Sequence, residues 1–171
     1  MGETEITTEE GIEVFQKEKH YILKKNVEIQ SDNFNLKADN VKAYFDKDLY
    51  DITVMYSKGN VIIKSSQGLK VLGNEVDYNV KEEDIYVKGK KSFLQNAEIT
   101  MLSDESIRVK NLTGEFHLIG ENSQLITTNI KITGDDIQGI YGNIDGENKV
   151  DKLIVEDNNE VYIKTNSLEM Y

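Results

Sequence analysis

Residues 59–80 read GNVIIKSSQGLKVLGNEVDYNV. Val61 and Ile63, Leu69 and Val71, and Val76, Tyr78 and Val80 take every second place in three short runs, with Gly, Asn and Ser between them. Alternation of this period points one side chain inward and the next outward on a half-buried strand. Residues 26–45, NVEIQSDNFNLKADNVKAYF, carry nearly the same pattern 34 residues upstream, Val27 standing where Val61 stands. The chain therefore repeats a unit, and that unit decides the fold.

The same alternation runs from Ile12 to Met170, for example at Ile52/Val54, Ile85/Val87, Leu112/Gly114/Phe116/Leu118 and Leu153/Val155. Glu, Lys, Gln, Asn, Asp and Thr fill most of the places between, which suits a wet outer face. No stretch holds a 3.6-residue apolar stripe for three turns. The best helical candidate, TTEEGIEVFQKEKH, is opposed by Gly11 and by the Ile12/Val14 alternation. Ser31-Asp32-Asn33, Lys58-Gly59, Gly73-Asn74, Gly120-Glu121-Asn122 and Gly134-Asp135-Asp136 read as turns, and Asp145-Gly146 is the strongest hairpin signal. Short strands at regular spacing predict an all-β sandwich, roll, barrel or solenoid.

An apolar-x-apolar motif recurs at Val27, Val61, Ala97, Ile130 and Val161, in steps of 34, 36, 33 and 31 residues, and Asn precedes the first four. A second motif follows 14 or 15 residues later at Val41, Val76 and Leu112, with Ile144 as a weaker fourth copy. A unit with one apolar face cannot bury that face alone, whereas stacked units can.

The length, 171 residues, suits one domain: residues 1–10 are expected to be a flexible amino terminus and 11–171 a single repeat-built body. The chain carries 31 acidic against 20 basic residues, and Arg108 is its one arginine. Without clustered cations there is no track for phosphates, so nucleic acid is not an expected partner. There is no Cys, which excludes disulfides, thiolate metal sites and cysteine nucleophiles. The acidic start MGETEITTEE has no apolar core of a leader peptide, and no run of 18 apolar residues occurs.

GIEVFQKEKHYILKKNVEIQSDNFNLKADNVKAYFD, residues 11–46, resembles the opening unit of the OstA/LptA family of periplasmic lipopolysaccharide-transport proteins. The family pattern is a strand, a connection, a GNV strand, a turn and an L-x-A-D-x-V strand pair. Residues 58–89 repeat it with Gly59-Asn60-Val61 intact, while Lys25 replaces the Gly of the first copy. The resemblance covers about residues 10–110 and continues by pattern beyond. It implies an open antiparallel β-jelly-roll built from repeated short strands, with a native leader upstream of a periplasmic protein. The same architecture serves LptA, the anchored LptC and the amino-terminal domain of LptD. It further implies lipopolysaccharide, held by its lipid A acyl chains, and other Lpt-type jelly-rolls as partners, in head-to-tail homo-oligomers. Neither enzyme activity nor a cofactor is implied.

A sheet folded with its dry face inward would offer acyl chains a lining. One buried methylene is worth about 0.8 kcal/mol, so a chain of about ten gains on the order of 8 kcal/mol. The first unit offers Val27, Ile29, Leu36, Ala38, Val41, Ala43 and Phe45. The second offers Val61, Ile63, Leu69, Val71, Val76 and Tyr78, and later units Ile99, Met101, Ile107, Val109, Phe116, Ile130 and Ile132. Each either lines a groove or fills a closed core, and Phe45, Phe93 and Phe116 are bulky enough to plug a groove. The terminal strands, near Ile12 and Val14 and near Val161, Ile163 and Leu168, are expected to be unpaired edges that recruit further strands.

Other chemistry finds little support. His20 and His117 lack partners at metal-ligand spacing, and no D-x-D-x-D-G calcium frame or G-x-S-x-G elbow occurs. Repeat-equivalent outward positions vary (Glu28, Ile62, Glu98, Lys131, Tyr162), which disfavours a solenoid enzyme with acids on adjacent coils. Lys24, Lys25, Lys58, Lys90 and Lys91 either meet lipid phosphates at a groove rim or simply solubilise the chain. The alternatives to a lipid-carrying bridge are the soluble domain of an LptC-type inner-membrane anchor and a β-repeat scaffold that binds nothing.

Overall fold

In a computed structural model, residues 4–128, 130–144, 147–156 and 162–165 are described. They form only strands and connections: β1 (Glu5–Thr7), β2 (Ile12–Phe15), β3 (His20–Gln30), β4 (Phe34–Phe45), β5 (Ile52–Ser65), β6 (Lys70–Asn79) and β7 (Asp84–Lys88). There follow β8 (Ser92–Gln95), β9 (Thr100–Ser103), β10 (Ser106–Lys110), β11 (Glu115–Ile126), β12 (Ile130–Ile144), β13 (Glu147–Glu156) and β14 (Tyr162–Thr165). Every pairing is antiparallel, and all belong to one sheet. The tail segment Glu5–Thr7 pairs with Glu28–Gln30.

The sheet is creased across its strands. β3 pairs with β2 through residues 20–23 and with β1 through 28–30. β6 likewise meets β7 with one half and β8 with the other, and β11 meets β10 and β9. β12 ends the series between β13 and β14. The first layer thus holds β2, β7, β10, β13 and the adjoining halves of the long strands. The second holds β1, β8, β9, β14 and the other halves. Hairpin turns close the strands at the mouth, opposite the crease.

The crease explains the repeated Gly-Asn. The β3–β4 ladder breaks between Lys24 and Val27, the β5–β6 ladder between Lys58 and Val61, and the β11–β12 ladder between Ile119 and Ser123. Lys25 and Asn26 (φ 67° and 49°), and Gly59 and Asn60 (φ 82° and 48°), adopt the same left-handed pair. Such a bulge sharpens twist and re-aims the strand. Lys25 departs from Gly yet keeps the conformation; Glu9 lies 3.5 Å from its ammonium and accepts a hydrogen bond from Asn26.

Four segments read as turns are therefore interior to strands. Lys58-Gly59 lies within β5, Gly73-Asn74 within β6, Gly120–Asn122 within β11, and Gly134–Asp136 within β12. Gly59 and Gly120 have positive φ, which bulge and turn share as a signature, while Gly73 and Gly134 leave room for the Val87 and Val155 side chains of the neighbouring strands. The third repeat copy also differs. Ala97 is exposed in the β8–β9 connection, and Leu112 is 68% exposed between β10 and β11. Asp145-Gly146 joins β12 to β13 but lies outside the described residues, as do Val161 and Leu168.

Candidate functional site

Three rows of side chains line the space between the layers. In the second layer one row passes through directly paired residues from Ile6 to Ile29, Leu36, Ile63, Val71, Leu94, Met101, Leu125 and Ile132. At about 4.8 Å per strand it spans roughly 38 Å. In the first layer a row runs from Val14 through Tyr21, Ala43, Met55, Tyr78, Ile85, Val109 and Phe116 to Gly139 and Leu153. Beside it Ile12, Leu23, Val41, Ser57, Val76, Val87, Ile107, Leu118, Ile137 and Val155 form the third. No charged side chain interrupts any row.

The residues expected inward are brought together here. Val27, Ala38, Val61 and Ile99 join the members of these rows in one buried cluster, and Phe45 lies with them. Leu69 and Ile130 are half-buried against its margin. Phe93 is the exception among the bulky aromatics: Ser92 and Leu94 point inward, so Phe93 faces the other side. Val54 also leaves the expected face. The register slips between Tyr44 and Phe45, so that Ile52 and Met55 are buried instead. Tyr21 and Leu23 sit fully inside, although Tyr21-Ile22-Leu23 is apolar throughout and its phase cannot be read from the sequence.

The interior is filled. Phe34 of the second layer and Tyr78 of the first meet edge to face, ring centroids 6.1 Å apart. Tyr21 stacks on Phe45, and Phe116 on Tyr141. Burial pushes the Tyr21, Tyr78 and Tyr141 phenols upward; Tyr50 adds to the shift at Tyr21, and the Glu83 charge adds to it at the other two. At the mouth a pocket of about 290 Å³ has Tyr78 and Ile85 among its walls, with Asn33, Gln67, Lys81 and Asn111 around them.

The two margins differ from the interior. At the amino-terminal end the first-layer rows finish at Ile12 and Val14, which are 48% and 36% exposed on an edge strand. At the other end β13 and β14 form the margin, with Leu153 and Val155 half-buried. Ile163 lies there on β14, paired with Ile132.

The lysines expected at a rim are elsewhere. Lys24, Lys25 and Lys58 lie beside the crease bulges, and Lys90 and Lys91 lie in the β7–β8 connection on that same side, away from the mouth. His117 Nε2 lies 2.7 Å from Asp136 on the outer face, and His20 stacks on Phe15. Among the described residues no group of three His, Cys, Asp or Glu could hold a metal ion.

A single antiparallel sheet, creased along its length around a dry interior and, among the described residues, left with an open edge at both ends, defines an open β-jelly-roll. The family model described as LptA/(LptD N-terminal domain) LPS transport protein matches residues 6–110. The chain belongs to this family of lipopolysaccharide-transport proteins. The crystal structure of LptH from Pseudomonas aeruginosa, described as the LptA homologous periplasmic component of a lipopolysaccharide transport device, shares the fold. It superposes with a TM-score of 0.53 at 15% identity, over 63% of this chain and 76% of that one. Comparison with curated proteins gives no match.

Proposed function

We propose that this protein is a non-catalytic carrier in lipopolysaccharide transport that takes lipid A acyl chains between its two layers. In this reading it works in the periplasm, the compartment given for LptH, and joins other jelly-rolls of its kind head to tail. The observation carrying this reading is the continuity of the inner rows: apolar residues follow one another strand by strand and run out to exposed Ile12 and Val14. A core that served only stability would gain by ending under a polar cover, since exposed apolar edge strands invite association. Here the same residues that end the lining stand on an edge strand, paired with β3 on one side. An added strand from a second copy would therefore extend hydrogen bonding and lining together.

Loading requires the layers to part, because the interior is occupied by its own side chains. The mouth suits that motion. Its strands end in turns, whereas the crease is held by continuous backbone. Acyl chains would replace contacts such as Phe34–Tyr78, while sugars and phosphates stayed outside with the polar groups of the mouth.

Burial of the inner rows between the two margins also supports a second reading, a scaffold that binds nothing. Co-elution separates the two. Full-length protein is mixed with lipopolysaccharide below its aggregation threshold and passed over a sizing column. The carrier reading expects lipid in the protein peak, reduced by Ile63→Asp at a position inside the second layer. Absence of lipid from the peak would support the scaffold. The LptC-type anchor domain would bind lipid as well; its distinguishing feature would be a membrane helix upstream.

A further inference from the structure

Among the described residues two buried hydroxyls inside the folded sheet have no hydrogen-bond partner, Tyr21 Oη and Ser57 Oγ. Both residues are almost wholly buried, at 0% and 1% exposure. Four other buried hydroxyls are answered. Ser92 donates to Gly89 O at 2.7 Å, Ser123 to Gly120 O at 2.7 Å, Ser103 to Ile119 O, and Tyr141 to Asn111 Oδ1 at 2.6 Å. Leaving a buried hydroxyl unmet is costly and uncommon. Phe at position 21 or Ala at 57 would avoid that cost in a lining whose one task was to be dry.

The two stand on the same inner face near the amino-terminal margin. Tyr21 is on β3 and Ser57 on β5, with β4 between them; there Tyr21 is paired with Ala43 and Ser57 with Val41. Their rows are otherwise apolar between the margin and β7 apart from the Tyr78 phenol.

We propose that Tyr21 and Ser57 are polar contacts for an acyl chain that bears an oxygen, as an ester or amide carbonyl or a hydroxyl, and that they distinguish it from plain hydrocarbon. This rests on the reading of the interior as a lipid site. When the layers part, a chain oxygen arriving beside these hydroxyls would complete them in a low-dielectric space. There a hydrogen bond is strongest and its absence most costly. Burial keeps the Tyr21 phenol protonated, so it stays a donor at any physiological pH. A chain without oxygen would leave both groups orphaned, the arrangement by which a polar site rejects an analogue lacking the partner atom.

The test uses the full chain and two probes, myristic acid and 3-hydroxymyristic acid, each displacing a fluorescent fatty acid. Wild type is expected to prefer the hydroxylated probe by roughly 3- to 10-fold, the range of one neutral hydrogen bond. Tyr21→Phe with Ser57→Ala is expected to remove the preference while leaving myristic acid affinity unchanged or raised. Equal binding of both probes by wild type, or a preference surviving in the double variant, overturns this inference and leaves the lipid reading standing. Binding of neither probe overturns both. The variants are expected to melt no lower than wild type, and a drop would show that the hydroxyls are already satisfied within the protein, which also overturns the inference.

Discussion

Asn60 Nδ2 donates to Asp39 Oδ2 at 3.4 Å, joining residues 21 positions apart in sequence. Asp39 belongs to the Leu36-x-Ala38-Asp39-x-Val41 stretch and Asn60 to Gly59-Asn60-Val61, so the two halves of the repeated motif meet in space. The carboxylate lies over the left-handed pair that creases β5. A Cβ on Gly59, at φ 82°, would collide with the Asp39 carboxylate. Glu9 occupies the corresponding place over Lys25 and Asn26. At both of these bulges an acidic side chain from earlier in the chain, Asp39 on β4 and Glu9 between β1 and β2, fastens the left-handed pair.

Gly59→Ala should therefore destabilise the fold by about 1–3 kcal/mol through strain and contact with Asp39. Gly68, at φ 88°, has open space around it; Gly68→Ala should cost about 1 kcal/mol or less. Adding Asp39→Ala to Gly59→Ala should recover part of the loss. Urea denaturation midpoints of the three variants check this, and equal effects at positions 59 and 68 would contradict it.

Neighbouring residues on β5 should respond oppositely. Ile63 is fully buried and Ile62 is 36% exposed. Ile63→Ala should cost about 2–5 kcal/mol, as for other buried large-to-small changes. Ile62→Ala should stay within about 0.5 kcal/mol of wild type. Thermal melts of the two proteins are sufficient.

Tyr21→Phe removes a buried hydroxyl that has no partner and should raise stability by about 1 kcal/mol, or about 2–4 °C in melting temperature. Alkaline pH tests the same group. The unfolded phenol ionises near pH 10.0, while burial raises the folded value. Above pH 10 the unfolded chain releases a proton that the folded chain keeps, so stability, constant below that pH, falls as pH rises. Tyr21→Phe should make this fall shallower. An unchanged slope in urea midpoints between about pH 9 and about pH 11.5 would contradict the burial of Tyr21.

The amino-terminal margin should govern association. Ile12→Lys with Val14→Lys places two charges on an exposed edge strand, a known deterrent to strand addition. The variant should need about ten-fold higher concentration to form chains, with little change in melting temperature. Light scattering across a dilution series measures this, and identical curves for variant and wild type would remove β2 from the joint.

Much of the architecture is legible because a period of two leaves few choices. Val61, Ile63, Val71, Val76 and Tyr78 all face inward as their spacing requires. The repeat placed the Gly-Asn positions but could not say what they were. Positive φ serves a tight turn and a crease equally at Gly59 and Gly120, whereas Gly73 and Gly134 keep ordinary strand conformation and leave room for the Val87 and Val155 side chains, so all four read as chain reversals although each is inside a strand. Spacing alone misplaced Leu112, because β10 and β11 turn where the earlier units continue. The irregularity at Phe45 shifted the face of β5, exchanging Val54 for Met55. Tyr21 was hidden in an apolar triplet, and its missing partner is visible only in three dimensions.

Photocrosslinking reads the interior during transport. A photoreactive residue is placed singly at Ile63, Val76 and Ile99, which are fully buried, and at Glu28 and Ile62 on the outer face. Lipopolysaccharide is added and the samples are irradiated. Lipid adducts at the three inner positions, with none at Glu28 or Ile62, are expected if acyl chains pass between the layers. Adducts confined to the outer positions, or absent from all three inner ones while the proteins remain folded, would contradict the carrier reading.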